Sequence, residues 1–167
     1  MSKAFKYLII LCLTIIILSG CSNSSENALK AAKDFKEMQF NVSLYDYQDG
    51  ITPELLDEVR NKLSPFQTKD FQIKQTKNRI LTLPLEVARV QNSTMSLENL
   101  KFKTISEDKD IKAINLSYTA ILGFDNKNVQ KININGVMNL INEDGAWKVS
   151  YDNFNVKDLF DLTSEKQ

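Results

Sequence analysis

The chain has 167 residues, with 21 basic and 21 acidic side chains, two cysteines and no histidine. That length suits one ordinary domain, and the balanced charge, with no polybasic stretch, excludes the electrostatic footprint of a nucleic-acid binder. The absence of histidine removes Ser-His-Asp and Cys-His triads and every histidine-bearing metal site, so no cofactor or metal is implied.

Lys3 and Lys6 precede an uncharged apolar run from Tyr7 to Leu18, a basic segment and a hydrophobic segment of signal-peptide length. The run is too short to span a bilayer comfortably. It ends in Leu18-Ser19-Gly20-Cys21, which resembles the lipobox of bacterial lipoproteins. An ordinary signal peptide, or an uncleaved anchor, is the competing reading. The resemblance implies residues 1 to 20 as a lipoprotein signal peptide and Cys21 as the lipid-bearing first residue of the mature chain. The protein is then held at the extracytoplasmic face of a cell membrane. Cys12 leaves with the signal and Cys21 carries the lipid, so no thiol is spare for a disulfide and a packed core must hold the domain. Residues 21 to 26 read as a short polar tether.

A helix is expected from Ser25 or Glu26. Ala28, Ala31, Ala32, Phe35, Met38 and Val42 recur at spacings of three and four, one apolar stripe. Lys30, Lys33, Asp34, Lys36 and Glu37 fall mostly on the wet face. Tyr45 and Tyr47, flanked by Asp46 and Asp49, follow the helix. They read either as an aromatic rim for a ligand or partner, or as structural packing, and the acids lack the remaining oxygen ligands of a calcium loop. Thr52-Pro53-Glu54 opens a second helix with a cap, a proline at its first position and an acid at its positive end. Leu55, Leu56, Val59 and Leu63 form its buried stripe, and Ser64-Pro65 stops it. Thr68 caps a third helix bearing Phe71 and Gln75. From Ile80 the pattern supports a strand to Leu83 or a short helix after Pro84.

Beyond Leu97 the period changes to two. Leu100, Phe102 and Thr104 point inward; so do Ile114, Leu116, Tyr118, Ala120 and Leu122, then Ile132, Ile134, Met138 and Leu140. Gly136 interrupts its row and suggests a bulge or bend. Glu143-Asp144-Gly145 makes a hairpin turn. The last strand places Trp147, Val149 and Tyr151 inward and Lys148, Ser150 and Asp152 outward. Ser164 to Gln167 is a polar tail. Helices followed by four antiparallel strands is an α+β order, with the helices packed in the concavity of a curved sheet. The expected core includes Phe35, Leu56, Val59, Phe71, Ile114, Leu116, Ile134, Leu140, Trp147 and Val149.

Three segments carry a second resemblance: Leu63-Ser64-Pro65-Phe66, Thr68-Lys69-Asp70-Phe71, and the closing hairpin Gly136-Val137-Met138-Asn139-Leu140 to Trp147-Lys148-Val149 and Phe154. From Asn27 to Val156 the chain resembles the NTF2-like superfamily of α+β cones, which implies such a domain over residues 27 to 163. That superfamily holds both enzymes and accessory binding domains, so the likeness implies a fold and not a function. Its enzymes place an acid-base pair inside the cone, often Asp with His or Tyr. With no histidine and no carboxylate on the inward rows as read here, no catalytic residue transfers. Tyr118, Trp147 and Tyr151 remain as pocket-lining or core aromatics. The expectation is a non-catalytic module for an envelope protein, a wall component or a small apolar ligand. An isomerase or dehydratase using Tyr and Asp is the alternative.

Overall fold

A computed structural model of the chain describes residues 23 to 43 and 50 to 164. Cys21, Tyr45 and Tyr47 lie outside the described residues, and with them the readings of a lipid site and a tyrosine rim. The described residues form α1 (Asn23–Phe40), α2 (Pro53–Leu63), α3 (Lys69–Lys77), α4 (Leu83–Val90), β1 (Met95–Asp108), β2 (Ala113–Phe124), β3 (Ile132–Glu143), β4 (Ala146–Phe154) and α5 (Lys157–Thr163). The fold is α+β, with helices against a curved, fully antiparallel four-stranded sheet in the order β1-β2-β3-β4. Among the described residues no helix is long and apolar enough to cross a membrane.

Local chemistry sets the helix starts. The Thr52 hydroxyl accepts from the Leu55 amide, and Thr68 accepts from the Phe71 amide, each satisfying an amide that the first turn leaves without a partner. Ser64-Pro65 ends α2 in a single 3-10 turn through Phe66. Between Ile80 and Leu83 the helical alternative prevails: Pro84 occupies the first turn of α4, and Leu83, Leu85, Val87 and Ala88 are buried. The sequence reading missed α5, whose Leu159 is fully buried.

Antiparallel pairing follows the expected alternation in β2 and β3, with Ile114, Leu116, Tyr118, Leu122, Ile134, Met138 and Leu140 buried. Asp144 and Gly145, both at positive φ (53 and 88), make the two-residue β3–β4 turn, the geometry that matches strand twist. Gly136 is neither bulge nor bend in the β2–β3 ladder, where it pairs directly with Tyr118. Instead it makes room. A Cβ there would sit 2.6 Å from the Asn153 carbonyl oxygen and 2.7 Å from the Tyr118 ring.

The bulges fall elsewhere. In β1 the register slips between Glu98 and Lys101 and again between Thr104 and Ser106, and Thr104, expected inward, is exposed. In β4, Asn139 pairs with Tyr151 while Leu140 pairs with Val149, leaving Ser150 as the extra residue. The Ser150 hydroxyl holds this bulge by donating to Asn139, both to its carbonyl and to its side-chain oxygen. One added residue inverts which side chains face inward. Trp147 and Val149 are therefore buried as expected, whereas Tyr151 is 43% exposed. Asp152, expected outward, turns into the core.

Candidate functional site

Two residues that the sequence placed in solvent meet at the centre of the domain. On α1, Lys36 lies one turn after Ala32 and one turn before Phe40, and all three are fully buried. The Lys36 ammonium donates to Asp152 Oδ2 at 2.5 Å and to Gln39 Oε1 at 3.0 Å. The Tyr118 hydroxyl donates to the other carboxylate oxygen, Oδ1, at 2.7 Å. Four rings surround the ammonium, with centroids at 4.5 Å (Phe154), 4.6 Å (Tyr118), 5.0 Å (Phe40) and 5.6 Å (Phe35). Ring faces carry negative potential and attract such a cation, most strongly where water is excluded.

Burial lowers the Lys36 pKa from its ordinary value, opposed by the charge and hydrogen bond of Asp152. Burial raises that of Tyr118, and the neighbouring Asp152 charge raises it further. Tyr118 is thus a hydrogen-bond donor and not a base at neutral pH. Each carboxylate oxygen has a partner, so the ion pair meets the condition under which a buried charge is tolerated. The side chains of Lys36 and Asp152 are only 1% and 0% exposed. The network contains the groups of an acid-base site, with neither charged side chain open to solvent.

Against this centre lies a cleft of about 280 Å³ between α3 and β4, lined by Phe71, Lys74, Gln75, Tyr151, Asp152 and Phe154 among others. Gln75 is 6% exposed, and its Oε1 is buried without a hydrogen-bond partner among the described residues. Lys74 places its ammonium 5.8 Å from the Tyr151 ring centroid. A larger hollow of about 680 Å³ is walled by Ile51, Leu56, Arg79, Leu81, Leu83 and Phe160, with further polar lining residues. Among the described residues no group of three Asp, Glu, His or Cys side chains is placed to hold a metal ion.

Compared with models of known protein families and with curated proteins, the chain matches none.

Of the aromatics singled out in sequence, the structure brings Tyr118 to the network, puts Trp147 in the core and leaves Tyr151 at the cleft. Lys36 and Asp152 were missed, though each left a trace. Lys36 continues a spacing of four from Ala28 and Ala32 to Phe40, a helix stripe that its charge disguised. Phe154 shares its parity with Asp152 and not with Val149, so two apolar anchors of one strand disagree about which face is inward. That disagreement is the signature of an extra residue between them. On β3, Asn139 is committed within the sheet. Asn139 Nδ2 donates to Asn115 Oδ1 at 2.9 Å.

Proposed function

We propose that this chain is a lipid-anchored protein of the extracytoplasmic membrane face whose NTF2-like domain is a non-catalytic binding module. Cys21 carries the lipid in this reading, and two or more acyl chains give an anchor that one chain does not, at roughly 0.8 kcal/mol per buried methylene. Helices packed against a curved antiparallel sheet agree with the NTF2-like likeness.

The observation that carries the non-catalytic reading is the closure of the centre. General acid-base work needs a tuned group within hydrogen-bond reach of a substrate. Here the carboxylate spends both oxygens on Lys36 and Tyr118, and neither charged side chain meets solvent. The Tyr118–Asp152 contact is the one feature favouring an isomerase or dehydratase, and no substrate atom reaches it in this conformation. The network serves instead as an internal tie between α1 and β4, leaving contact with partners to the surface.

Two measurements test the proposal. Mass spectrometry of the protein from its native membrane should show an acylated Cys21 at a new N-terminus; an unmodified product starting elsewhere ends the anchor reading. Crosslinking in intact membranes should capture the same partners with wild type and with Tyr118→Phe at equal abundance, and fewer with Tyr45→Ala/Tyr47→Ala. A folded Tyr118→Phe protein that keeps its partners yet loses its cellular effect would favour the enzyme.

A further inference from the structure

The α3–β4 cleft deepens the binding-module reading, on which this inference rests. β4 is an edge strand, since it stands last in the sheet. Exposed strand edges present unpaired N–H and C=O groups and are natural templates for another extended chain. At Val149 the edge is already covered: its carbonyl accepts from the Thr68 amide at 3.0 Å, and Gln67 forms a parallel bridge to it. The Phe154 carbonyl accepts from the Val156 amide. Between them, residues 150 to 153 make no backbone hydrogen bond outside the sheet ladder among the described residues.

The orientation of that gap follows from the neighbours. The Asn155 amide donates to the Asn135 carbonyl, so residues 153 and 155 turn their backbone groups toward β3. By alternation, Asp152 and Phe154 turn theirs to the free edge, as the Phe154–Val156 bond shows. The Asp152 amide and carbonyl therefore face the cleft side while its side chain stays in the core. Across the cleft stands Gln75, with an orphaned acceptor. A buried polar atom without a partner costs free energy and calls for an explanation.

We propose that this cleft binds a short extended peptide segment, whose backbone adds to β4 at Asp152 and whose outward-facing amide is read by Gln75. Strand addition draws affinity from main-chain hydrogen bonds and selectivity from side-chain pockets. The rings of Phe71, Phe154 and Tyr151 supply the apolar wall. A cavity of roughly 150 Å³ admits one benzene; this one, at about 280 Å³, has room for a larger group. An extended backbone fits best because it alone offers donors and acceptors on both edges at strand spacing.

The test uses the full chain in detergent micelles and an acetylated, amidated tetra-alanine carrying one diazirine side chain. Photolabelling should saturate and map to residues 69–80 and 150–156. Gln75→Leu should weaken half-maximal labelling about tenfold, the scale of a ligand amide left unpaired, and backbone N-methylation of the peptide should do the same on wild type. Absent or unsaturable labelling, labelling confined to other surfaces, or an N-methylated peptide that labels equally would overturn the cleft. Should Gln75→Leu fold poorly by circular dichroism, the N-methyl comparison decides on wild type alone. Partners captured in membranes through another surface would leave the module standing while the cleft falls.

Discussion

Replacing Lys36 by Met tests the internal tie directly. Met fills much of the same space without a charge, so no large cavity opens and the loss is mainly electrostatic. It strands the Asp152 carboxylate, at 0% side-chain exposure, with the Tyr118 hydroxyl as its remaining partner. Removing one member of a buried pair costs about 3–5 kcal/mol, because the other charge is left uncompensated. Against a total stability of about 5–15 kcal/mol, that is a large share. Urea titration of a soluble chain beginning at Ser22, read by circular dichroism, should show the midpoint fall with the slope unchanged. The companion Lys36→Met/Asp152→Leu should regain much of the loss, since apolar replacement of a whole buried pair is often neutral or better. It should still fall short by about 1–3 kcal/mol each for the unpaired Tyr118 hydroxyl and the Gln39 carbonyl that Lys36 served, and adding Tyr118→Phe should restore the first share. A cost below about 1 kcal/mol for Lys36→Met, or a double variant no better than the single, would refute the account of a closed and mutually satisfied centre.

Three further outcomes are expected. Because the Tyr118 pKa is raised in the folded state, the folded protein holds its proton where the unfolded chain loses it. Its contribution is thus complete below pH 10 and declines above, by about 1.4 kcal/mol per pH unit. Lys36, lowered, acts in the opposite sense up to its ordinary value. Wild type should accordingly lose stability faster than Tyr118→Phe from pH 10 to 11 in denaturant titrations, and parallel curves would remove Tyr118 from the network. Gly136→Ala places a methyl against the Asn153 carbonyl and the Tyr118 ring, and should lower stability by about 1–3 kcal/mol; a neutral effect in thermal unfolding would mean that the sheet yields there. Trp147→Ala should cost about 3–5 kcal/mol, since the indole is buried in the core, and a loss under about 1 kcal/mol by urea titration would contradict it.

Much of the frame was legible because local rules agree with the global fold. Thr52 and Thr68 cap as hydroxyls do, Asp144-Gly145 turns the chain as its backbone freedom allows, and Tyr118 and Ile134 lie where a period of two puts them. The centre was not legible for a physical reason. A lysine and an aspartate enter a core only when each supplies the other's partner, and these two lie 116 positions apart. Neither can be judged alone. The cleft was hidden in the same way, because the exposure of Tyr151 and the free edge at Asp152 both depend on an extra residue in an otherwise regular strand. In α5 a single buried leucine, Leu159, within a short charged segment gave too weak a period to read.

Ser150 has a consequence for how such a domain changes over generations. Loss of the Ser150 codon would leave Asn139 opposite Tyr151 and Leu140 opposite Val149, a regular ladder in which Asp152 still faces inward. At its present length the strand keeps Asp152 beneath the helices only while the bulge persists; a ladder running on from Val149 in strict alternation would turn Asp152 to water and leave Lys36 without its carboxylate. The bulge, more than the length of this strand, is therefore inherited together with the lysine on a distant helix. A loss of the bulge at constant length and a loss of charge at Lys36 form a natural pair of compensating events, since each removes one side of the same buried pair.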